Sequence, residues 1–251
     1  MKLSSTYIGI IFAILAYFSF SLLDTIQKTV VIYHSIFQIL LLKYFFTLFL
    51  SLVESYRKKN LYFYKTNNTK LQITRSILSV IEAGLFVLSF RFLSLADAHS
   101  IGSLTPVIVV ALSAIILREK VNLKTWIAIF FGFLGVLIIM RPGLSIFDPM
   151  SLIPLGAAFF LSLYQIVTRK VSEYDSPETS LFYTSIVGIT LMVFIMPFYW
   201  QPMQSFSYLL FLGVGVFFSL GIYLQIIALS YAKASVVQPF HYTLILWAII
   251  F

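Results

Sequence analysis

Long apolar runs separated by short polar links fill almost the whole chain. Each run is about as long as the roughly 17–25 residues that a helix needs to cross a bilayer. Nine runs are predicted, at about residues 6–23, 36–54, 72–93, 97–117, 123–140, 150–168, 178–198, 206–230 and 234–251. The pattern therefore predicts an all-α fold, a polytopic transmembrane helical bundle with about nine spans.

Composition supports the same prediction independently. Of the 251 residues, 60% are hydrophobic and only 10% are charged, whereas soluble domains carry roughly 25% charged residues. So few charges cannot cover a soluble surface of this size, and we expect the surface to face lipid.

The stretch 91–143 holds four short motifs in a fixed order. They are Leu-Ala-Asp-Ala at 95–98, Thr-Pro at 105–106, Arg-Glu at 118–119 and Gly-Val-Leu-Ile-Ile-Met-Arg-Pro-Gly at 135–143. In this order and spacing they resemble the motifs of the drug/metabolite transporter superfamily, specifically its EamA-type members. The resemblance implies a membrane transporter of a small organic metabolite that works by alternating access.

The chain also repeats itself. The segment that starts at Ala16, AYFSFSLLDTIQKTV, aligns with AAFFLSLYQIVTRKV from Ala157, so that Lys28 meets Arg169. Five helices, an odd number, precede the second copy, which must then enter the membrane from the other side. Inverted repeats of this kind are a common construction in transporters, whereas the alternative is chance similarity among apolar helices.

The repeat predicts a domain organisation. Residues 1–143 form the first five-helix EamA-type repeat, and residues 144–251 form the second, truncated in its fourth helix. The offset between SLADA at Ser94 and SYAKA at Ser230 places the end of the second copy past Phe251. We therefore expect a five-plus-five plan with its last helix missing, either in a fragment or in a shortened gene.

The distribution of basic residues predicts the orientation. With a cytoplasmic N-terminus, most of the 17 Lys and Arg lie in cytoplasmic links, and only Lys28, Arg91 and Arg141 lie outside. This bias follows the positive-inside rule and predicts a multi-pass protein of the cell inner membrane. The net charge of +8 is spread between apolar runs, so we expect a lipid bilayer rather than nucleic acid as the partner.

Patterns typical of enzymes are missing from the sequence. It has no glycine-rich phosphate loop and no H-E-x-x-H motif, and it contains no cysteine. We expect no enzymatic activity, no cofactor and no metal site, and we leave a homodimer open.

Two ionisable residues lie near the middle of apolar runs, where burial of a charge is costly and points to function. Glu82 could exchange a proton with a cavity, or could be a structural carboxyl bonded to Ser79. Lys43 could bind an anionic substrate group or pair with Glu82, or could extend towards a headgroup.

Further substrate-binding candidates are polar residues at membrane depth. In the last run, a proline at 239 frees a carbonyl beside polar neighbours. The candidates are Gln165, Tyr183, Gln225, Gln238, His241 and Tyr242. Hydrogen bonding between helices is the competing interpretation of such residues.

Four other polar residues receive simpler interpretations. Asp24 and Lys28, four residues apart, are predicted to pair across one helical turn. His99 is predicted to meet water near the outer end of its helix. Arg75 is assigned to the end of a polar loop, Arg57–Arg75.

The sequence leaves the substrate open among amino-acid-like compounds, nucleoside-like compounds such as S-adenosylmethionine, and vitamins. Proton coupling through Glu82 is one hypothesis for the energy source. The rival interpretation is a truncated, non-transporting membrane protein or an assembly partner, which the missing helix favours and the retained polar residues do not.

Overall fold

The computed structural model describes residues 5–140, 148–203 and 205–250, and the regular secondary structure of these ranges is helical. The α-helices are α1 (Ser5–Tyr33), α2 (Ile36–Arg57), α3 (Thr69–Phe92), α4 (Leu95–Gly102), α5 (Thr105–Ile116), α6 (Leu123–Met140), α7 (Leu152–Val171), α8 (Pro177–Ile195), α9 (Ser205–Tyr231), α10 (Ala234–Val237) and α11 (Thr243–Ile250). Short 3-10 helices occupy Pro149–Ser151, Met196–Phe198 and Gln238–Tyr242.

The predicted all-α, polytopic membrane architecture is confirmed. Seven helical segments of the described chain are long and apolar enough to cross a membrane, and Leu123–Ile138 is a shorter apolar helix. The first span differs in length from the prediction, because α1 continues to Tyr33 rather than ending near residue 23. Polar residues in its second half, Asp24 and Gln27, are buried inside the bundle and so do not end the helix.

The fourth span is interrupted, whereas the sequence predicted one continuous run. Helix α4 ends at Gly102, and α5 begins at Thr105 with Pro106 in its first turn. A proline has no N–H to donate and its ring crowds the carbonyl four residues earlier, here that of Gly102. The last segment is interrupted in the same way, by a 3-10 turn that contains Pro239 between α10 and α11.

The main apolar core lies among the long helices, with most of its buried residues on α1, α2, α3, α8 and α9. Small residues allow close contact between these helices. A Cβ added at Gly188 of α8 would lie 2.4 Å from the ring of Tyr44, which is fully buried on α2. The absence of a side chain at Gly188 therefore makes room for the Tyr44 ring.

The polar loop is shorter than predicted. Helix α3 begins at Thr69, where the Asn68 side chain accepts a hydrogen bond from the Leu71 amide at 3.0 Å. The predicted placement of Arg75 in the loop is therefore wrong, because Arg75 lies within α3 and is fully buried. The remaining link, residues 58–68, packs against the turn between α7 and α8.

Asp175 in that turn holds the link in place. Its carboxylate accepts hydrogen bonds from the Thr66 hydroxyl, from the backbone amide of Asn67 at 3.1 Å and from Gln72 Nε2 at 2.8 Å. Asn67 Nδ2 also donates to the carbonyl of Tyr174 at 3.0 Å. The link is thus a docked segment rather than a free loop.

Candidate functional site

A cavity with about 950 Å³ of empty volume, its mouth included, lies within the bundle. Its walls come from α1, α2, α3, α7 and α9. Residues of both interrupted spans, α4–α5 and α10–α11 with the turn between them, complete the lining. Broken helices that line a central cavity are typical of transporter binding sites. In the described part of the chain, the acidic and lysine side chains that face this space are Asp24, Lys43 and Glu82.

One face of α1 forms a wall of the cavity. Tyr17, Phe20, Asp24 and Gln27 all line it, at the spacing of three or four residues that puts side chains on one helical face. Asp24 is buried, and the Nε2 atom of His99 lies 3.5 Å from its Oδ2.

The predicted pair of Asp24 with Lys28 is wrong. Lys28 Nζ instead donates to the backbone carbonyls of Phe90 and Leu93, at 3.0 and 3.1 Å. These carbonyls lie at the C-terminal end of α3, where the last helical carbonyls need partners. Asp24 is thereby left to face the cavity.

Lys43 is the buried cation of the site, with only 2% of its surface exposed. Its Nζ lies 4.7 Å from the centre of the Phe218 ring, a favourable cation–π distance. In the described part of the chain, this ammonium group makes no hydrogen bond.

Glu82 lines the cavity from α3 and is half-buried. Lys43 interacts electrostatically with both Glu82 and Asp24. No ion pair within 4.0 Å, however, joins Lys43 to either carboxylate in the described part of the chain. The three charges therefore share one cavity without direct contact between the cation and the anions.

Two histidines complete the polar part of the wall. His99 is buried with its ring centre 5.4 Å from that of Phe86, so the predicted contact with water near a helix end is wrong. His241 lies beside Tyr17, with ring centres 4.9 Å apart. His99 Nε2 and His241 Nδ1 are buried and have no hydrogen-bond partner among the described residues.

The structure divides the eight predicted site residues into two groups. Those that line the cavity are Lys43, Glu82, Gln225 and His241. The others make contacts elsewhere: Gln238 Nε2 donates to Gln165 Oε1 at 2.5 Å, and the Tyr242 hydroxyl donates to the Ser103 carbonyl at 3.4 Å. Tyr183 donates to the carbonyl of Tyr64 in the 58–68 link, at 3.2 Å.

Polar cavity residues that the sequence analysis did not select include Tyr17, Asp24, Gln27 and Thr105. The spacing of Tyr17, Asp24 and Gln27 on one helical face was a usable signal. It was missed because the first span was predicted to end before Asp24.

Arg75 is hydrogen-bonded to the wall of the cavity. Its guanidinium donates to the Tyr164 hydroxyl at 3.3 Å, to Thr184 Oγ1 at 2.6 Å and to the carbonyl of Ser180. Tyr164 lines the cavity, whereas Arg75 and Gln72 are fully buried and are not among its lining residues. A hydrogen-bonded layer around Arg75 therefore connects the cavity wall at Tyr164, through Gln72 and Asp175, with the 58–68 link.

Comparison with known sequences decides the family. The sequence model of the EamA-like transporter family matches residues 7–141 and 149–251. The chain belongs to the EamA-like transporter family. This membership makes it a protein of a membrane transporter family rather than an enzyme, as the motifs at 95–143 predicted.

Relatives of this EamA-like protein carry different names. A riboflavin transporter of Vibrio cholerae is 36% identical over 129 residues, which are 51% of this chain and 43% of that protein. An uncharacterized transporter of Helicobacter pylori is 28% identical over 82% of this chain and 72% of its own length. An S-adenosylmethionine uptake transporter of Rickettsia prowazekii is 24% identical over 94% of this chain and 81% of that protein.

A solved crystal structure shares the fold of this EamA-like chain. It matches 98% of this chain and 86% of its own, with a TM-score of 0.77 and 14% sequence identity. At this identity the similarity shows the fold alone.

Proposed function

We propose that this EamA-like protein moves a small organic metabolite across the membrane through the cavity between its two halves. One observation carries the proposal: Asp24, Lys43 and Glu82 face a single cavity inside an apolar bundle. Charged groups at membrane depth are costly and mark substrate pathways. A merely structural bundle would gain nothing from placing opposite charges around an empty space without pairing them.

The proposed mechanism is alternating access between two inverted repeats, residues 1–143 and 144–251. Equivalent interruptions in the fourth span of each half and the alignment of Lys28 with Arg169 support this division. Rocking of one repeat against the other would expose the cavity to each side of the membrane in turn. The layer around Arg75 would close the side of the 58–68 link.

Orientation is part of the proposal. The basic residues of the 58–68 link support its placement in the cytoplasm, with the N-terminus on the same side of an inner membrane. The Arg75 layer would then be the cytoplasmic barrier.

Glu82 is the proposed proton carrier. Its side chain is half-buried, reaches the cavity and interacts electrostatically with Lys43 and Asp24. A change in access between water and apolar surroundings would change the cost of its charged form, so the proton could be taken up on one side and released on the other.

Uptake into proteoliposomes tests this function. A panel of amino acids, nucleosides and vitamins is offered with and without an imposed pH gradient, and at least one compound should accumulate. Glu82→Gln should retain substrate binding and exchange but lose accumulation driven by the gradient. The matched control is Glu173→Gln, because Glu173 is exposed in the turn before Asp175.

Two results would count against the proposal in different ways. If no compound of the panel accumulates, the transport function fails. If Glu82→Gln accumulates substrate as well as the parent under the same gradient, the coupling role fails and transport stands.

A further inference from the structure

We infer that a second pocket of this protein, at the ends of three membrane spans, binds the phosphate headgroup of an anionic phospholipid. The pocket shares no lining residue with the central cavity. The inference goes beyond the proposed transport function and does not depend on it.

Basic side chains outnumber acidic ones in this pocket, which has about 720 Å³ of empty volume, its mouth included. They come from the link after α5, from the end of α7 and from the residue before α10. The basic residues are Arg118, Arg169, Lys170 and Lys233, and the acidic residues are Glu119 and Glu173. This excess of positive charge favours an anionic ligand.

The pocket lies at the depth where headgroups are found. Three membrane spans end at Ile116, Val171 and Tyr231, and each lining residue lies within three residues of one of these ends. The end of a span marks the boundary between hydrocarbon and the headgroup region. Ile116, which is 49% exposed, and Leu117 add apolar surface to the lining. A lipid could pack its glycerol and acyl region there while its phosphate meets the basic side chains.

Glu119 is a weak partner for these basic side chains, because its oxygens are bonded to the start of α10. Oε1 accepts a hydrogen bond from the backbone amide of Ala234 at 3.1 Å. Oε2 accepts from the backbone amide of Ser235 at 3.1 Å and from its hydroxyl at 2.5 Å. Arg169 Nε lies 3.9 Å from Oε1, which is too long for a hydrogen bond.

Three of the four basic side chains have no partner in the described part of the chain. Arg118, Lys170 and Lys233 are exposed, and their side chains make no hydrogen bond or ion pair there. Arg169 is fixed beside them, because its Nη1 donates to the carbonyl of Leu229 at 2.8 Å. Arginine and lysine bind phosphate through charge-assisted hydrogen bonds, and basic pockets between membrane helices bind anionic headgroups.

A zwitterionic headgroup fits the pocket less well. Its ammonium group could pair with Glu173, but it would also lie among four basic side chains. Such like-charge contacts oppose binding. A soluble phosphate compound would meet the same charges but would gain nothing from Ile116 and Leu117. The anionic phospholipid is the ligand that uses both the charged and the apolar part of the lining.

Native mass spectrometry of the purified full chain in a non-ionic detergent tests the inference. Dioleoyl phosphatidylglycerol is compared with phosphatidylcholine and phosphatidylethanolamine that carry the same acyl chains, and glycerol 3-phosphate is the soluble probe. Phosphatidylglycerol should bind at least roughly tenfold more tightly than the other three probes. Its binding should weaken as the ionic strength is raised.

Substitutions assign the binding to this pocket. The double variant Lys170→Gln, Lys233→Gln should bind phosphatidylglycerol roughly 30-fold more weakly, because two of the four cations are lost. Lys170→Arg with Lys233→Arg keeps the charges and should retain binding. Lys59→Gln with Lys70→Gln changes the net charge equally at exposed positions outside the pocket, and should bind like the parent. Equal melting temperatures without lipid verify that each variant is folded.

The inference has clear contrary results. Equal binding of phosphatidylglycerol by the parent and by the Lys170→Gln, Lys233→Gln variant would overturn it, as would an equal loss in the Lys59→Gln, Lys70→Gln control. Equally tight binding of a zwitterionic lipid would remove the need for an anionic headgroup. Equally tight binding of glycerol 3-phosphate would replace the lipid by a soluble phosphate compound and overturn the inference. None of these results bears on transport, which the uptake assay tests separately.

Discussion

Lys28 and Arg169 make the same kind of contact at two places in the bundle. Lys28 Nζ on α1 donates to the carbonyls of Phe90 and Leu93 at the end of α3, at 3.0 and 3.1 Å. Arg169 on α7 donates to the carbonyl of Leu229 at the end of α9, at 2.8 Å. Each cation satisfies carbonyls that have no partner within their own helix and lies at the negative end of that helix.

We predict that Lys28→Met and Arg169→Met each lower the free energy of unfolding by about 1–3 kcal/mol, because each leaves helix-end carbonyls without a charged donor. Thermal unfolding of the purified protein in detergent measures this. The double variant should show nearly the sum of the two effects, since the contacts share no residue. Unchanged melting temperatures in both single variants would contradict the prediction, with Lys70→Met as the control.

The bias of basic residues predicts that the 58–68 link is cytoplasmic. Single cysteines at Leu61, which is 79% exposed, and at Asp148, which is also exposed, should differ in labelling by an impermeant thiol reagent on intact cells. Asp148→Cys should be labelled, and Leu61→Cys should react only after the cells are opened. The parent chain has no cysteine and is the blank. The reverse labelling pattern would invert the orientation.

Asp175 is predicted to control how firmly the 58–68 link is docked. Asp175→Ala removes the acceptor of several hydrogen bonds from Thr66, Asn67 and Gln72. Hydrogen exchange of the link should become at least roughly tenfold faster, because a single hydrogen bond to a charged group contributes about 1.5–3 kcal/mol and about 1.4 kcal/mol corresponds to a factor of ten. Mass spectrometry of deuterated peptides measures this, and exposed Glu173→Ala is the control. Equal exchange in both variants would show that the link docks by other contacts.

Gly188 is predicted to be intolerant of a side chain. Gly188→Ala would place its Cβ 2.4 Å from the Tyr44 ring, whereas Gly135→Ala would meet no atom within 4 Å. Overpacking of this kind costs about 1–3 kcal/mol. Thermal unfolding in detergent should therefore show a lower melting temperature for Gly188→Ala than for Gly135→Ala. Equal melting temperatures would mean that Tyr44 can move aside at little cost.

The membrane architecture could be predicted from the sequence because it depends on local quantities. Transfer of a helix into lipid is governed by the summed polarity of about 20 consecutive residues. A window of that length identified the runs, and the short motifs at 95–143 identified the family. Glu82 and Lys43 were found for the same reason, since a single charge stands out within an apolar run.

The ends and interruptions of the spans were decided by tertiary contacts. Helix α1 continues past Asp24 because the rest of the bundle surrounds its polar residues. Arg75 has the sequence character of a loop residue, yet Tyr164, Ser180 and Thr184 from two other helices supply its hydrogen bonds. No window along the chain contains those partners.

Which of the polar residues line the cavity could likewise not be predicted from the sequence alone. Gln165 and Gln225 are both buried glutamines in long apolar helices, but Gln225 faces the cavity and Gln165 pairs with Gln238. The sequence determined that such polar groups lie at membrane depth. The rotation of each helix against its neighbours decided which of them face the cavity, because a buried polar group is stable only where the packed structure brings it a partner or an open space.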